Sequence, residues 1–415
     1  MFCGNCFRDN AVTREMVRQG HAAMLLPLYL PITLEESDQE QSQPIQFSGI
    51  NVFLDQVCPP YRRAPNWLRK LFRSRSLLNL TSTKAAKTRA EDVGPTTVSM
   101  LRGEEGNQSR ELEEFVSWLA TDETPDAICL SNVMLIGFAK TLRENIETKI
   151  ICTLQGEDSF LDALSEPYSQ QAWQEIANRT SDIDLFIAPS YYYADVMKQR
   201  LNLPANKIKV VYNGVDVQDF KLSELPTIPT IGYFARMCPQ KGLDILVNAF
   251  IQLKQANPKN PYKLKIGGGC GPGDKSFVEQ LKRQIARANI DDDVSWHPNL
   301  SKQDKIEFLR DLSILSVPAR YGEGFGLYLA EAWASGVAVI QPRHAAFTEL
   351  IEETEAGWLF DPENPKSLAD ALREGLEDKT QLKNKRTKAR VAAESIFNLK
   401  VMTEQLLNAY RSATL

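Results

Sequence analysis

Histidine is the scarcest chemistry-bearing residue in this chain: His21, His297 and His344 are the only three in 415 residues. No H-x-x-x-H pair and no doubled C-x-x-C occurs, so the common ligand sets of zinc enzymes are missing, and no metal site is expected. Cys3 and Cys6 form a lone C-x-x-C, which reads as incidental. The seven cysteines are odd in number and scattered, as in a reduced, cytoplasmic protein. Basic charge is not in excess: 48 Lys and Arg against 53 Asp and Glu give a net charge of −5, which argues against nucleic acid as a partner. Long apolar runs are lacking too. The best candidate, His21 to Ile32, is interrupted by Pro27 and Pro31 and falls short of the roughly 18 residues a spanning helix needs. The opening MFCGNCFRDN has neither the basic start nor the apolar core of a signal peptide.

What is present is ordinary for a soluble globular chain, with 43% hydrophobic and 24% charged residues and length enough for two domains. Short apolar runs alternate with amphipathic helical patterns, which predicts an α/β fold with parallel sheets covered by helices. In the first half the expected strands are Met24 to Leu30, Ala127 to Leu130, Lys149 to Leu154, Asp184 to Ala188 and Ile208 to Tyr212. In the second they are 230–235, Lys263 to Ile266, Val294 to Trp296, Leu312 to Val317, Ala338 to Gln341 and Gly357 to Phe360. The reading is two Rossmann-like, doubly wound domains, 1–220 and 230–395, joined by the Pro-punctuated linker 221–229, with a last helix over 396–415. Residues 32–110 hold too little periodicity for their length and read as an insertion. Within it, 61–90 carries nine basic and no acidic residues interleaved with Trp67, Leu68, Leu71, Phe72 and Leu78. Two expectations stand for 61–78: a peripheral contact with anionic lipid at the inner membrane face, or a solvated helix packed on the domain by its apolar side.

Two stretches could carry chemistry. GGGCGPG (267–273) follows an expected strand, where a phosphate loop belongs, yet Pro272 and Asp274 occupy the positions at which the dinucleotide fingerprint needs glycine, and Asp274 separates Gly273 from Lys275. Neither a dinucleotide dehydrogenase nor a P-loop enzyme is supported. In ARYGEGFGLYLAEAWASG (319–336), Glu323 stands in a Gly-rich turn and Glu331 eight residues later. Helical arithmetic puts them about 12 Å apart on one side of a helix, suited to holding two ends of an extended ligand, with the backbone N–H groups of Phe325 to Leu327 facing an anion. Asp291 to Asp293 match a metal-binding D-x-D string but read as a polar turn before a strand.

The E-G-F-G-L-x-x-x-E string resembles the E-x7-E motif of retaining glycosyltransferases of the GT-B fold, family 4 in particular. IGYFARMCPQKGLDILVNAF (231–250) is similar to that family's Arg-x4-Lys-Gly segment, VVYNGVDVQDF (210–220) to its interdomain stretch, and LKIGGGCGP (264–272) to its strand and glycine loop. The resemblance implies two domains facing across a cleft, the C-terminal helix returning to the first. It implies sugar transfer from a nucleotide-sugar donor to a sugar, lipid or small-molecule acceptor, with neither metal nor cofactor. It makes Arg236 and Lys241 the clamp on the donor diphosphate, Glu323 a contact to the transferred sugar, and Glu331 a hydrogen-bond acceptor for the ribose. Gly4, Gly268, Phe325, Gly326 and Leu327 would line the donor. Gln155 and Asp158 of QGED, with His344, would touch the sugar or the acceptor.

The chain departs from the family's pattern at two places. Ala345 and Ala346 stand where the family commonly has two glycines, and Gln155 where it often has histidine. These departures keep alternatives open: a catalytically inactive sugar-nucleotide binder, or another GT-B enzyme such as a sugar epimerase or a glycan synthase. His21, between a helix-capping Gly20 and the next segment, reads as structural. The chain also opens inside the turn that normally follows the first strand. Met1 is therefore expected to be an internal methionine of a chain that starts about 8–15 residues earlier with the central first strand.

Overall fold

The computed structural model describes residues 4–28, 47–72, 90–121, 124–222 and 224–414, and the chain divides into two compact units. The first comprises Met1–Val211 with Thr403–Leu415, and the second Tyr212–Met402. Cys3, Arg73, Arg75, Leu78, Lys84, Lys87 and Arg89 lie outside the described residues. Among the described residues no helix is long and apolar enough to cross a membrane.

The first unit carries a parallel four-stranded sheet in the order β1-β2-β3-β4: β1 Ala127–Leu130, β2 Lys149–Thr153, β3 Leu185–Ala188 and β4 Ile208–Val210. These are the short β-branched runs anticipated from the sequence; β2 and β3 are almost wholly buried, which is why they read as continuous apolar stretches rather than alternating ones. The expected strand at Met24 to Leu30 does not form over its described part. Residues 21–28 follow the helix Gly4–Arg18 and Gly20 (φ +88°) without regular structure. Pro27 removes a ladder N–H from the middle of that run, a position proline is denied in an interior strand.

In its described parts the insertion is helical, with Gly49–Val57, Asn66–Leu71 and Ala90–Leu101. Arg69, one of the nine basic residues, turns fully inward. Its guanidinium meets both oxygens of Asp55 at 2.8 Å and Glu111 Oε2 at 2.7 Å, and neither carboxylate has more than 1% of its side chain exposed. Asn51 donates to Glu111 and accepts from the Tyr61 hydroxyl, closing the network. Burial alone would lower the Arg69 pKa; the two carboxylates outweigh it and hold the group above its ordinary range. The exposed apolar residues Phe53 and Val57, and Trp67 and Leu71, stand two positions either side of Asp55 and Arg69, on the helix faces turned away from this cluster.

The second unit has six parallel strands in the order β10-β9-β8-β5-β6-β7. They are β5 Thr230–Phe234, β6 Lys263–Gly268, β7 Val294–Pro298, β8 Ile314–Leu315, β9 Ala338–Pro342 and β10 Gly357–Phe360. The chain runs outward from β5 through β6 to β7, returns to the centre by the helix Lys302–Arg310, and then runs the other way from β8 to β10. The order therefore reverses between β5 and β8, which pair through Ile231 with Ile314 and Gly232 with Leu315. In open parallel sheets such a reversal leaves a crevice at the carboxyl ends of the strands, where ligands bind.

Candidate active site

The loops leaving β5 and β8 flank that crevice, and they carry the residues singled out from the sequence. Arg236 follows β5 by two positions. Its Nε lies 3.1 Å and its Nη2 2.9 Å from the Asp274 carboxylate, while two thirds of its side chain stays open to solvent. The hydrogen bonds it donates to Asp274 raise the guanidinium pKa further. Asp274 is itself nearly buried and also accepts from Gly271 N at 2.9 Å, so one carboxylate both aims Arg236 and shapes the glycine loop. The loop presses on the exit of β5: Gly268 has φ +118°, and a Cβ there would stand 2.0 Å from the Ala235 carbonyl oxygen. Met237 N bonds Gly269 O at 2.8 Å and completes the seam.

Lys241 lies on the same β5 loop, one residue before Gly242, whose φ of +67° and approach to Pro318 O leave no room for a Cβ. That contact draws the β5 and β8 loops together, and Arg320 fastens them by a two-pronged bond to Asp244 at 2.8 and 2.6 Å. Lys241 Nζ then reaches Glu323 Oε1 on the β8 loop. This ion pair spans the point of strand reversal.

After Glu323 the chain turns through Gly326 (φ +84°) into the helix Leu327–Ala334. Only four of the eight steps from Glu323 to Glu331 are thus helical, and the 12 Å estimate, which assumed a helix throughout, does not apply. Glu331, inside the helix, is bonded at 2.8 Å by Lys305 Nζ from the crossover helix. Tyr328, in the helix's first turn, has a buried hydroxyl with no partner among the described residues; burial first, and the nearby Glu323 second, raise its pKa well above the ordinary range.

The loop after β9 closes the group. His344 Nε2 lies 2.9 Å from Ala319 O, and Ala346 N donates to Glu323 O at 3.3 Å. Ala345 holds φ +53° and ψ −148° at the start of the helix Ala346–Thr354, a conformation normally left to glycine. Alanine thus adopts the backbone geometry that the expected glycine pair would have supplied. Ala345→Gly is expected to relieve about 1–3 kcal/mol of strain against about 0.5–1 kcal/mol of added unfolded-state entropy, a net stabilisation near 1 kcal/mol. Urea denaturation of the two forms checks it; a lower midpoint for the glycine variant would show that the methyl group packs more than it strains.

The remaining sequence candidates lie elsewhere. Gln155 and Asp158 follow β2 in the first unit, where Gln155 Nε2 donates to Ser131 O at 3.0 Å and Asp158 Oδ1 is buried without a partner among the described residues. The QGED residue that organises this edge is one the sequence reading passed over. Glu157 accepts from Val133 N, Gln155 N and the Tyr193 hydroxyl, tying together the segments that follow β1, β2 and β3, and burial raises its pKa. Gly4 is the first residue of the helix Gly4–Arg18. Asp293 of the DDD string pairs with Lys254 and Lys263 at 2.8 and 2.7 Å.

The model for Glycosyltransferase Family 4 matches residues 87–219 and that for Glycosyl transferases group 1 matches 216–395, so the two span most of the chain. The chain thus matches two glycosyltransferase domain models in succession. Among solved structures it is similar to HepE of Anabaena in complex with UDP, at TM-score 0.63 and 20% identity, covering 73% of this chain and 82% of that one. It is also similar to sucrose-phosphate synthase of Thermosynechococcus elongatus, at TM-score 0.62 and 20% identity over 74% and 78%. Curated relatives are more similar in sequence but over less of their length. A D-inositol 3-phosphate glycosyltransferase of Nocardioides is 25% identical over 55% of this chain and 54% of its own. The lipopolysaccharide core biosynthesis mannosyltransferase LpsB of Rhizobium meliloti is 29% identical over 42% and 52%. The chain thus matches about half the length of these relatives.

Proposed function

We propose that this chain transfers a sugar from a nucleotide-sugar donor to an acceptor hydroxyl, with retention at the anomeric carbon and without a metal. The observation that carries this reading is the Lys241–Glu323 pair across the strand reversal, with Arg236 on the same loop after β5. Both cations follow β5 at the carboxyl edge of a parallel sheet, the edge at which open sheets hold ligands. In the proposed reaction the acceptor oxygen attacks the anomeric carbon on the face the leaving group departs. The bond from that carbon to the phosphate oxygen breaks with its electron pair, and the acceptor proton passes to a phosphate oxygen of the leaving nucleoside diphosphate. Arg236 and Lys241 would counter the charge that grows there, the work a metal does in other transferases. Glu323 would hold a hydroxyl of the transferred sugar and Glu331 the ribose. The UDP and UDP-glucose bound by HepE support a nucleotide-sugar donor.

Screening UDP, GDP and ADP sugars by thermal shift tests the reading, because a ligand of the folded state alone raises its stability. One donor should stabilise the chain, and nucleotide release should appear with an acceptor and persist in EDTA; activity that disappears with EDTA would overturn the metal-free mechanism. Glu331→Ala is expected to weaken donor binding by about 1.5–3 kcal/mol, the worth of a charge-assisted hydrogen bond. Calorimetric titration of the folded variant measures this, and unchanged affinity would remove Glu331 from the donor contacts.

A further inference from the structure

Each charged side chain assigned to the donor is held by an opposite charge: Arg236 by Asp274, Lys241 and Glu323 by each other, and Glu331 by Lys305. Lys305 is the member of this set that pairs with the carboxylate proposed for the ribose, and no motif marks it. It stands on the helix Lys302–Arg310, which crosses from the edge strand β7 to the central β8. Phe308 on the same helix packs on Phe234 at the end of β5 and on His297 in β7, both with ring centroids 5.5 Å apart. The helix is thereby pinned over the carboxyl edge of the sheet. Lys305 Nζ and Glu331 Oε1 are 2.8 Å apart with 16% and 17% of their side chains exposed, so the hydrogen bond engages one of the two carboxylate oxygens.

We infer that Lys305 is a positioning residue for donor recognition: it occupies one oxygen of Glu331, fixes the carboxylate's orientation, and leaves the other oxygen to accept from a ribose hydroxyl. Two physical points carry this. A glutamate side chain with free rotamers must be ordered when it binds a ligand, and a partner that orders it beforehand removes that cost. A bare carboxylate near a diphosphate would also repel the ligand it is meant to hold, whereas a paired one presents almost no net charge. The inference rests on the nucleotide-sugar reading above.

The experiment uses the full chain and three probes: the nucleoside diphosphate that stabilises it best in the screen, that compound's 2′-deoxy form, and inorganic pyrophosphate. Wild type should prefer the ribonucleotide to the deoxynucleotide by about 10- to 100-fold, the worth of one such hydrogen bond. Lys305→Met should reduce that preference to about twofold and leave pyrophosphate affinity unchanged, and Lys305→Arg should restore most of it. Adding Lys305→Met to Glu331→Ala should cost no further preference, because the lysine acts through that carboxylate. A preference that survives in Lys305→Met would reduce the pair to a structural one. A parallel fall in pyrophosphate affinity would place Lys305 on the phosphates and overturn the assignment. Wild type that binds none of the nucleotides overturns the donor reading itself, an outcome distinct from either of these.

Discussion

Arg69→Met is expected to destabilise the first unit by about 3–5 kcal/mol, the largest stability loss anticipated for any single residue described above. The size comes from what is left behind. Asp55 and Glu111 have almost no exposure, and the arginine makes a two-pronged bond to one and a single bond to the other. Removing it strands two carboxylates in a site water does not reach, and Asn51 and Ser48 N together cannot neutralise them. Arg69→Lys should cost less but not little, since an ammonium cannot reproduce the planar fork that meets both oxygens of Asp55. Urea denaturation followed by far-UV circular dichroism measures both. A loss below about 1 kcal/mol for Arg69→Met would mean that the cluster is hydrated and behaves like a surface pair. Replacing the whole cluster by apolar residues of matching volume should recover most of the loss, because no orphaned charge then remains.

That cluster also shows where a sequence stops being readable. The innermost strands were legible because burial on both faces leaves an unbroken apolar run, and β2, β3 and β9 fall within a residue of where the runs place them. Met24 to Leu30 looked similar, but Pro27 inside it weighs more than its apolar neighbours. Arg69 lies within a string of bases that suggests a surface, and nothing local announces that Asp55 and Glu111, 14 and 42 residues away, draw it inward. The site divides along the same line. Arg236, Lys241, Glu323 and Glu331 are legible from a motif that keeps them in register. Their partners Asp274 and Lys305 are brought by the topology, 38 residues from Arg236 and 26 from Glu331. The helical estimate for the two glutamates failed for a local reason, since Gly326 in the left-handed region delays the helix to Leu327. Ala345 is the converse case, in which composition argued against a conformation that the surrounding loops nonetheless impose.

Lys241→Ala is expected to lower kcat by about 10²–10³ while weakening donor affinity less than tenfold, with Arg236→Ala losing somewhat less. The diphosphate already carries charge in the bound donor, so both cations contribute to affinity. The charge on the leaving oxygen grows as the glycosidic bond breaks, however, and an interaction that strengthens along that path appears in kcat rather than in binding. The ranking follows from the geometry. Lys241 reaches across the strand reversal to Glu323 with a third of its side chain exposed, so solvent screens its field less. Arg236 is two thirds exposed, so solvent screens more of its field before it reaches the leaving group. Lys241→Ala also leaves Glu323, with 17% of its side chain exposed, without its partner, which adds repulsion toward the departing diphosphate. Single-turnover transfer with saturating donor gives the chemical step, and calorimetric titration with the same donor gives the affinity. If the loss lies wholly in affinity and single-turnover rates stay at the wild-type value, the cations bind ground and transition states alike, and the driving force for leaving-group departure has to come from other residues.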